Sequence, residues 1–441
     1  MLIMPIRHLL LAATALSLVP AAHAQEDRLE ALERRLAEQQ ARIDQLEAMV
    51  AKQSQMLEQA PVTSPSSPAD VAASVPASPP APGAAPSPAP AQLADAAPVA
   101  DGAFRIPGLD VSGDVRVRQE WNLVPGRDRS RSAVRARLRA SYAIDDHFSV
   151  GTQIATGDPD DPNSTDVTLG SFVDDFAVSL DQAWVRYRNG GFTAYAGKFP
   201  QVFQRTDMLW DGDVSPQGAA LSYGAELGGA KLDARGLYFV IDEAAVARDS
   251  DMLGGQLALA APLAPDFKAG LTGSYYHYRL GSVAGADAGD FRGNLLSGGR
   301  YLSDFHLVEG IGTLGWAGPS PRWPVSFTAD YVKNLGAAVS GDTAFNLEFA
   351  AGRTAEPGDW RLSYNYSEVE VDSVLAAFSH DNIDLSTNYR LHGVGLSHVP
   401  ARNLQVDLLW YHYRPLDPLY AGSFASTEWL DRIRLALMLS F

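Results

Sequence analysis

The chain has 441 residues, a net charge of −17 and no cysteine. Disulfides, thiolate metal sites and cysteine nucleophiles are therefore excluded. An acidic chain without a basic stripe interleaved with stacking aromatics is also a poor nucleic-acid binder, so no nucleic-acid partner is expected.

Arg7 precedes an apolar run from Leu9 to Val19, which Pro20 ends, and Ala22-His23-Ala24 supplies a small-x-small cleavage site. These three regions predict a signal peptide over 1–24. The run is too short to span a bilayer as a helix, and no later stretch approaches the ~20 continuous apolar residues such a span needs.

Residues 25–60 predict a periplasmic coiled coil. Leu29, Leu36, Ile43, Val50 and Leu57 recur every seventh residue, and Leu32, Gln39, Leu46 and Gln53 fill the second seam position. A strict heptad implies helices wound around one another, because one helix cannot bury its own seam. The alternative is a single amphipathic helix packed on another domain. Residues 61–103 are mostly Pro, Ala and Ser. They predict an extended linker, because such a composition cannot pack a core.

From residue 104 the pattern changes to a period of two. Val134, Ala136, Leu138, Ala140 and Tyr142 alternate with Arg135, Arg137 and Arg139. Ile433, Leu435, Leu437, Leu439 and Phe441 form the apolar row of the last segment. A strand with one greasy face and one polar face, ending on an aromatic, is what a lipid-facing barrel requires. Sixteen such segments can be marked, and their connections alternate between short and long. Short ones include Asp145-Asp146, Asn189-Gly190-Gly191, Gly228-Gly229 and Pro400-Ala401-Arg402; long ones include 157–175, 200–217, 280–300, 371–386 and 414–428. Short periplasmic turns and long outer loops give this alternation. The fold class expected is all-β: a 16-stranded antiparallel transmembrane β-barrel over 104–441, preceded by the N-terminal coiled-coil helix and the Pro/Ala-rich linker. Trp121, Tyr187, Phe199, Tyr301, Trp316, Trp323, Trp360, Trp410, Tyr411 and Trp429 lie near predicted strand ends and are expected in the two interfacial girdles.

Several motifs occur in order along this region. They are Ala155-Thr156-Gly157, Asn163-Ser164-Thr165, Thr168-Leu169-Gly170, Leu180-Asp181-Gln182-Ala183-Trp184, Ala196-Gly197-Lys198-Phe199-Pro200, Trp210-Asp211-Gly212-Asp213, Asp372-Ser373-Val374 and Asp381-Asn382. Together they resemble the bacterial outer-membrane "putative porin" family, related in architecture to phosphate-selective and general porins. The resemblance implies a homotrimeric channel for small hydrophilic solutes in the outer membrane of a Gram-negative cell; the even strand count, with every long connection outside, puts the N-terminal segment in the periplasm.

A sixteen-stranded barrel is wide enough for an aqueous lumen. The alternation turns Arg116, Arg118, Arg135, Arg137, Arg139, Arg432 and Arg434 inward on neighbouring strands, with Arg186 and Arg188 continuing the row. Such a wall serves either as solvated lining or as a ladder for anions. In porins of this build the third long loop enters the lumen, which would set Asp207, Asp211 and Asp213 against the arginines as a constriction. Opposed charges predict a transverse field across the gap, with ions of both signs passing along separate walls and weak selectivity; an anion preference would come from the arginine ladder. Asp158, Asp160, Asp161 and Asp166 are expected on a solvated surface loop. The glycine and distal glutamate of a calcium loop are missing, so no metal site is expected.

No G-x-S-x-G or H-E-x-x-H occurs, and the histidines are scattered. No catalytic residues, no cofactor and no enzymatic activity are expected. The function expected is a porin for passive diffusion. The alternative is an envelope tether, with the coiled coil and linker bound to the cell wall and the barrel as anchor.

Overall fold

The computed structural model describes residues 106–126, 128–170, 173, 175–282, 293–421 and 428–441. The expected signal peptide, coiled coil and linker lie outside the described residues.

Among the described residues, sixteen long strands form one closed antiparallel sheet. In chain order they are β1 (Leu109–Leu123), β2 (Arg129–Ala143), β3 (Phe148–Thr156), β4 (Val178–Asn189), β5 (Phe192–Lys198), β6 (Gln217–Leu227), β7 (Ala230–Asp242) and β8 (Ser250–Ala264). Then follow β9 (Phe267–Leu280), β10 (His306–Trp316), β11 (Val325–Asn334), β12 (Thr343–Gly352), β13 (Trp360–Val369), β14 (Tyr389–Ala401), β15 (Leu404–Pro415) and β16 (Leu430–Ser440). Each pairs with its chain neighbours, and β16 returns to β1 in the register Val117↔Leu437. Closure leaves no unpaired edge, the condition a sheet must meet in hydrocarbon. Among the described residues no helix is long and apolar enough to cross a membrane.

The seam is locked at its end by Phe441. Its N–H donates to the Gly113 carbonyl at 3.0 Å, and the Gly113 N–H donates to the Phe441 carbonyl at 2.9 Å. The Phe441 ring lies over Gly113, where a Cβ would come within 2.5 Å of it. The same device recurs between β3 and β4, where the Trp184 ring occupies the space a side chain on Gly151 would need.

The period of two reports an inside-out sheet. Outward residues are apolar and accessible: Leu271 is 67 % exposed and Leu437 47 %. Inward residues include charged groups shut away from solvent, such as Glu309 and Arg434, both 2 % exposed. A soluble sheet buries the opposite set; here the bilayer serves as the solvent for the apolar face.

Connections at one rim are short: 144–147, 190–191, 228–229, 265–266 and 402–403, with somewhat longer ones at 317–324 and 353–359. At the other rim five are long, 157–177, 199–216, 281–305, 370–388 and 416–429. Several of these long segments turn into the barrel. Trp210, Leu209 and Phe203 from 199–216 and Val374, Leu375 and Phe378 from 370–388 pack against inward residues of β7 to β14 such as Phe239, Tyr276, Leu307, Val332 and Tyr389. These residues form an apolar plug within the barrel, set beside buried polar groups of the same strands such as Gln256, Glu309 and Asp330.

Three of the expected girdle residues belong elsewhere, the first being Tyr301, which packs against the apolar core with its ring edge-on to Phe305 at 5.5 Å. Phe199 is fully buried and stacks on Tyr195 with ring centroids 5.5 Å apart. Tyr411 faces inward, beneath the guanidinium of Arg434. Phe199 and Tyr411 sit near strand ends, but the pleat turns them inside; position along the strand alone does not fix the face. Trp121, Trp316, Trp323, Trp360 and Trp410 do face outward and are exposed.

Candidate functional site: a paired arginine wall in the barrel interior

Strand pairing explains how the arginines meet. In the β1–β2 register Arg116 lies opposite Arg135, Asp114 opposite Arg137 and Glu120 opposite Arg131. In the β1–β16 register Glu120 lies opposite Arg434 and Asn122 opposite Arg432. Like charges side by side repel, so the wall needs acids within it.

Each acid serves more than one arginine. Asp114 accepts from Arg135 at 3.0 Å, Arg137 at 3.0 Å and Arg139 at 3.1 Å. Glu120 accepts from Arg434 at 2.6 Å and Arg131 at 2.7 Å, with Arg118 and Arg432 each at 3.8 Å. Asp166 reaches in from the 157–177 connection to Arg116 at 2.6 Å and Arg118 at 2.8 Å. Arg432 also pairs with Asp384 and donates to the Asn382 carbonyl at 3.1 Å. The buried Nε atoms of Arg116, Arg118 and Arg135 have no hydrogen-bond partner.

Of the remaining predicted arginines, Arg186 donates to Ser149 at 3.1 Å and lies over Trp184. Arg188 sits by the short turn, its N–H donating to the His147 carbonyl. The wall borders an interior cavity of about 1480 Å³, whose lining includes Arg116, Arg118, Arg135, Arg137, Arg139 and Arg434 but neither Arg186 nor Arg188.

The three acids of the 199–216 segment part company. Asp213 touches the wall, accepting from Arg137 at 2.9 Å with Arg135 at 3.7 Å. Asp211 is buried and accepts from the Asp213 N–H at 2.8 Å. Asp207 pairs with Arg205 of its own segment at 3.0 Å. The segment also reaches the far side, where Thr206 donates to Asp330 on β11 and the Gln204 N–H donates to Gln256 on β8 at 2.7 Å. It therefore runs from the β2 wall across to β8 and β11.

The electrostatics of these segments follow from burial and partners. Burial pushes the Asp166 pKa up, but Arg116 and then Arg118 reverse that and hold it below the usual carboxylate range. Asp213 is likewise pushed up by burial and pulled below its ordinary value by Arg137 and Arg135. Asp211 has no cation against it: burial, then Asp381 and Asp213, raise it well above the ordinary value.

Two features were not anticipated from the sequence. Asp166 is no solvated loop acid; its side chain is 6 % exposed inside the wall. The segment 370–388 also enters the barrel. The Asp211 N–H donates to the Phe378 carbonyl at 2.8 Å and the His380 N–H to the Asp207 carbonyl at 3.1 Å. Phe378 stacks on Trp210 at 5.6 Å. At its base, Asp372 accepts from Ser303 at 2.6 Å, and the Asn294 amide donates to the Val371 and Val374 carbonyls, each at 3.0 Å. The available signal was the pair of motifs Asp372-Ser373-Val374 and Asp381-Asn382, whose polar groups bind within the protein: Asp372 also accepts from the Leu295 N–H at 3.0 Å, and the Asn382 amide oxygen accepts from Arg434 at 2.9 Å.

Comparison with known proteins agrees with this architecture. Residues 123–287 match the model of the family described as "Putative porin", so the resemblance drawn from the motifs holds there. No curated protein matches the sequence. Among solved structures, the high-pH structure of Pseudomonas putida OprB is similar, with 12% identity over 76% of this chain and 94% of that chain and a TM-score of 0.51. Salmonella typhi OmpF in complex with daunomycin covers 76% of this chain and 97% of its own at 12% identity, with a TM-score of 0.48. The loop L8 deletion mutant of OmpT, an outer membrane protein of Vibrio cholerae, covers 76% and 99% at 12% identity, with a TM-score of 0.47. At such identity the OprB likeness speaks to the fold alone. The family match supports an outer-membrane channel.

Proposed function

We propose that this chain is an outer-membrane channel for passive diffusion of small hydrophilic solutes and ions, with a weak preference for anions. The long-loop rim faces outward in this reading, and the short turns and the N-terminal segment lie in the periplasm. The chain assembles as the homotrimer that the family resemblance implies, and carries out no catalysis.

The observation behind the anion preference is the sharing of acids. Arg116, Arg118, Arg131, Arg135, Arg137, Arg139, Arg432 and Arg434 are the eight guanidinium groups of the wall, and Asp114, Glu120, Asp166, Asp213 and Asp384 are the five carboxylates they hold. Guanidinium groups stay charged at any working pH, so the wall keeps a positive excess. The excess is small because most of the charge is answered locally, and the selectivity it produces is correspondingly weak.

Asp213 bears on the expected transverse field. It binds the wall directly, so it lowers the positive potential there rather than facing it across a gap. Reversal potentials of the purified barrel in a potassium chloride gradient test the reading. Chloride is expected to pass more readily than potassium, and Arg137→Gln to bring the ratio nearer to unity. A cation-preferring wild type overturns the anion assignment, and a barrel without conductance overturns the channel.

A further inference from the structure

The outward face of β14 and β15 carries a block of basic side chains close to the long-loop rim. Arg390 lies directly opposite Arg414 in the register, and His392 directly opposite His412. Two rows of like residues stacked across a strand pair oppose stable pairing unless an anion lies among them.

The protein supplies only part of that anion. Arg390 is bound to Glu368 at 2.6 Å, and His412 lies 2.9 Å from Asp431, which also accepts from the Trp410 indole at 2.7 Å. Arg414 has no acid. Its guanidinium sits 4.9 Å from the Trp429 ring, and its Nε is sealed from solvent with no hydrogen-bond partner. The other outward cations near this rim on β9 and β11 do have acids: Arg279 holds Asp251 at 2.7 Å and Lys333 holds Asp342 at 2.7 Å.

The surroundings define what would complete the site. His412 stacks on Trp429 at 4.3 Å, which gives a flat aromatic shelf beside the arginines. Toward the middle of the barrel the same face becomes apolar and exposed, with Trp410, Leu408 and Leu396. A ligand seated here meets cationic donors at one end and a hydrocarbon surface at the other. Tryptophan marks the level of the lipid headgroups.

We infer that Arg414, with Arg390 and the His392–His412 pair, binds the phosphate of a membrane lipid headgroup at the outer surface of the barrel, the acyl chains lying along Leu408 and Leu396. Arg414 is the deciding group, because a guanidinium offers paired donors to a phosphate and its charge is otherwise unanswered. The inference relies on the proposed bilayer location but not on conductance, which is measured separately.

Native mass spectrometry of the full chain, released from detergent with dioleoyl phosphatidic acid or dioleoyl phosphatidylcholine as probe, tests it. The wild type is expected to retain phosphatidic acid about tenfold more tightly, the scale of a charge-assisted hydrogen bond at a partly exposed site. Arg414→Gln should lose that discrimination, Arg414→Lys recover part of it, and Arg279→Gln leave it unchanged. Excess inorganic phosphate should not displace the lipid, and Arg414→Gln should keep the wild-type reversal potential. Equal retention of the two lipids by the wild type overturns the inference. So does an equal loss in Arg279→Gln, displacement by free phosphate, or a change of oligomeric state as the sole effect of Arg414→Gln.

Discussion

Asp114 holds three guanidinium groups with one carboxylate and is 5 % exposed. Removing its charge leaves Arg139 without an acid and leaves Arg135 and Arg137 to Asp213 alone. Asp114→Asn should therefore destabilise the barrel by roughly 3 kcal/mol, the scale for breaking a buried ion pair. The same change should raise chloride permeability relative to potassium. Denaturant titration and reversal potentials measure the two effects, and a stability loss without a selectivity change would confine Asp114 to a structural role. The two loop acids have opposite pH behaviour. The folded pKa of Asp213 lies below its ordinary value, so its contribution is complete above the unfolded carboxylate pKa of about 4 and is lost as pH falls through the folded value. Asp211 is raised, so the unfolded chain ionises first and stability falls as pH rises from the unfolded carboxylate pKa of about 4 toward the folded value. Asp211→Asn, which keeps the acceptor for the Asp213 N–H, should raise the thermal unfolding temperature more at about pH 8 than at about pH 5. A shift equal at both pH values would show that the folded pKa of Asp211 is not raised.

The elements were readable to different depths. All sixteen strands followed from side-chain alternation, because a closed barrel in lipid forces one face of every strand to be apolar. The inward arginines on β1, β2 and β16 followed from the same parity, and the return of β16 to β1 brought them together. The interior filling did not follow. Tyr276, Leu307 and Val332 face inward as apolar residues, and parity alone cannot say that loop residues cover them. The pairing of Asp166 with Arg116 and Arg118 was hidden for a similar reason, since a loop acid looks the same whether it meets water or a guanidinium. Trp210 joins the two inner segments: it is fully buried and touches Phe239, Tyr276 and Phe378. Trp210→Ala should cost about 3–5 kcal/mol, as truncating a large buried aromatic does. It should also loosen 199–216 and 370–388 together, giving larger and noisier single-channel currents. Currents identical to wild type would mean that neither segment borders the conducting path.

At the scale of the whole molecule, the proposed channel and an envelope tether make separable demands. The porin reading assigns conduction to the barrel alone, so deleting 26–101 should leave single-channel conductance unchanged. A tether would lose its envelope phenotype, measured as outer-membrane detachment or detergent sensitivity, in the same variant. Loss of conductance on that deletion would instead make the N-terminal segment part of the channel. The seam between β1 and β16 has a consequence of its own. Its partners, such as Val117 and Leu437, are among the most distant in the sequence, and Phe441 supplies its last backbone pair with Gly113. Loop-closure entropy must be met before such a contact forms, so chains of this topology assemble slowly. No ring can exist while residues 430–441 are still being synthesised, and until then β1 and its partners present open hydrogen-bonding edges. Delivery to the membrane must therefore keep a fully made but unclosed chain from pairing with its neighbours.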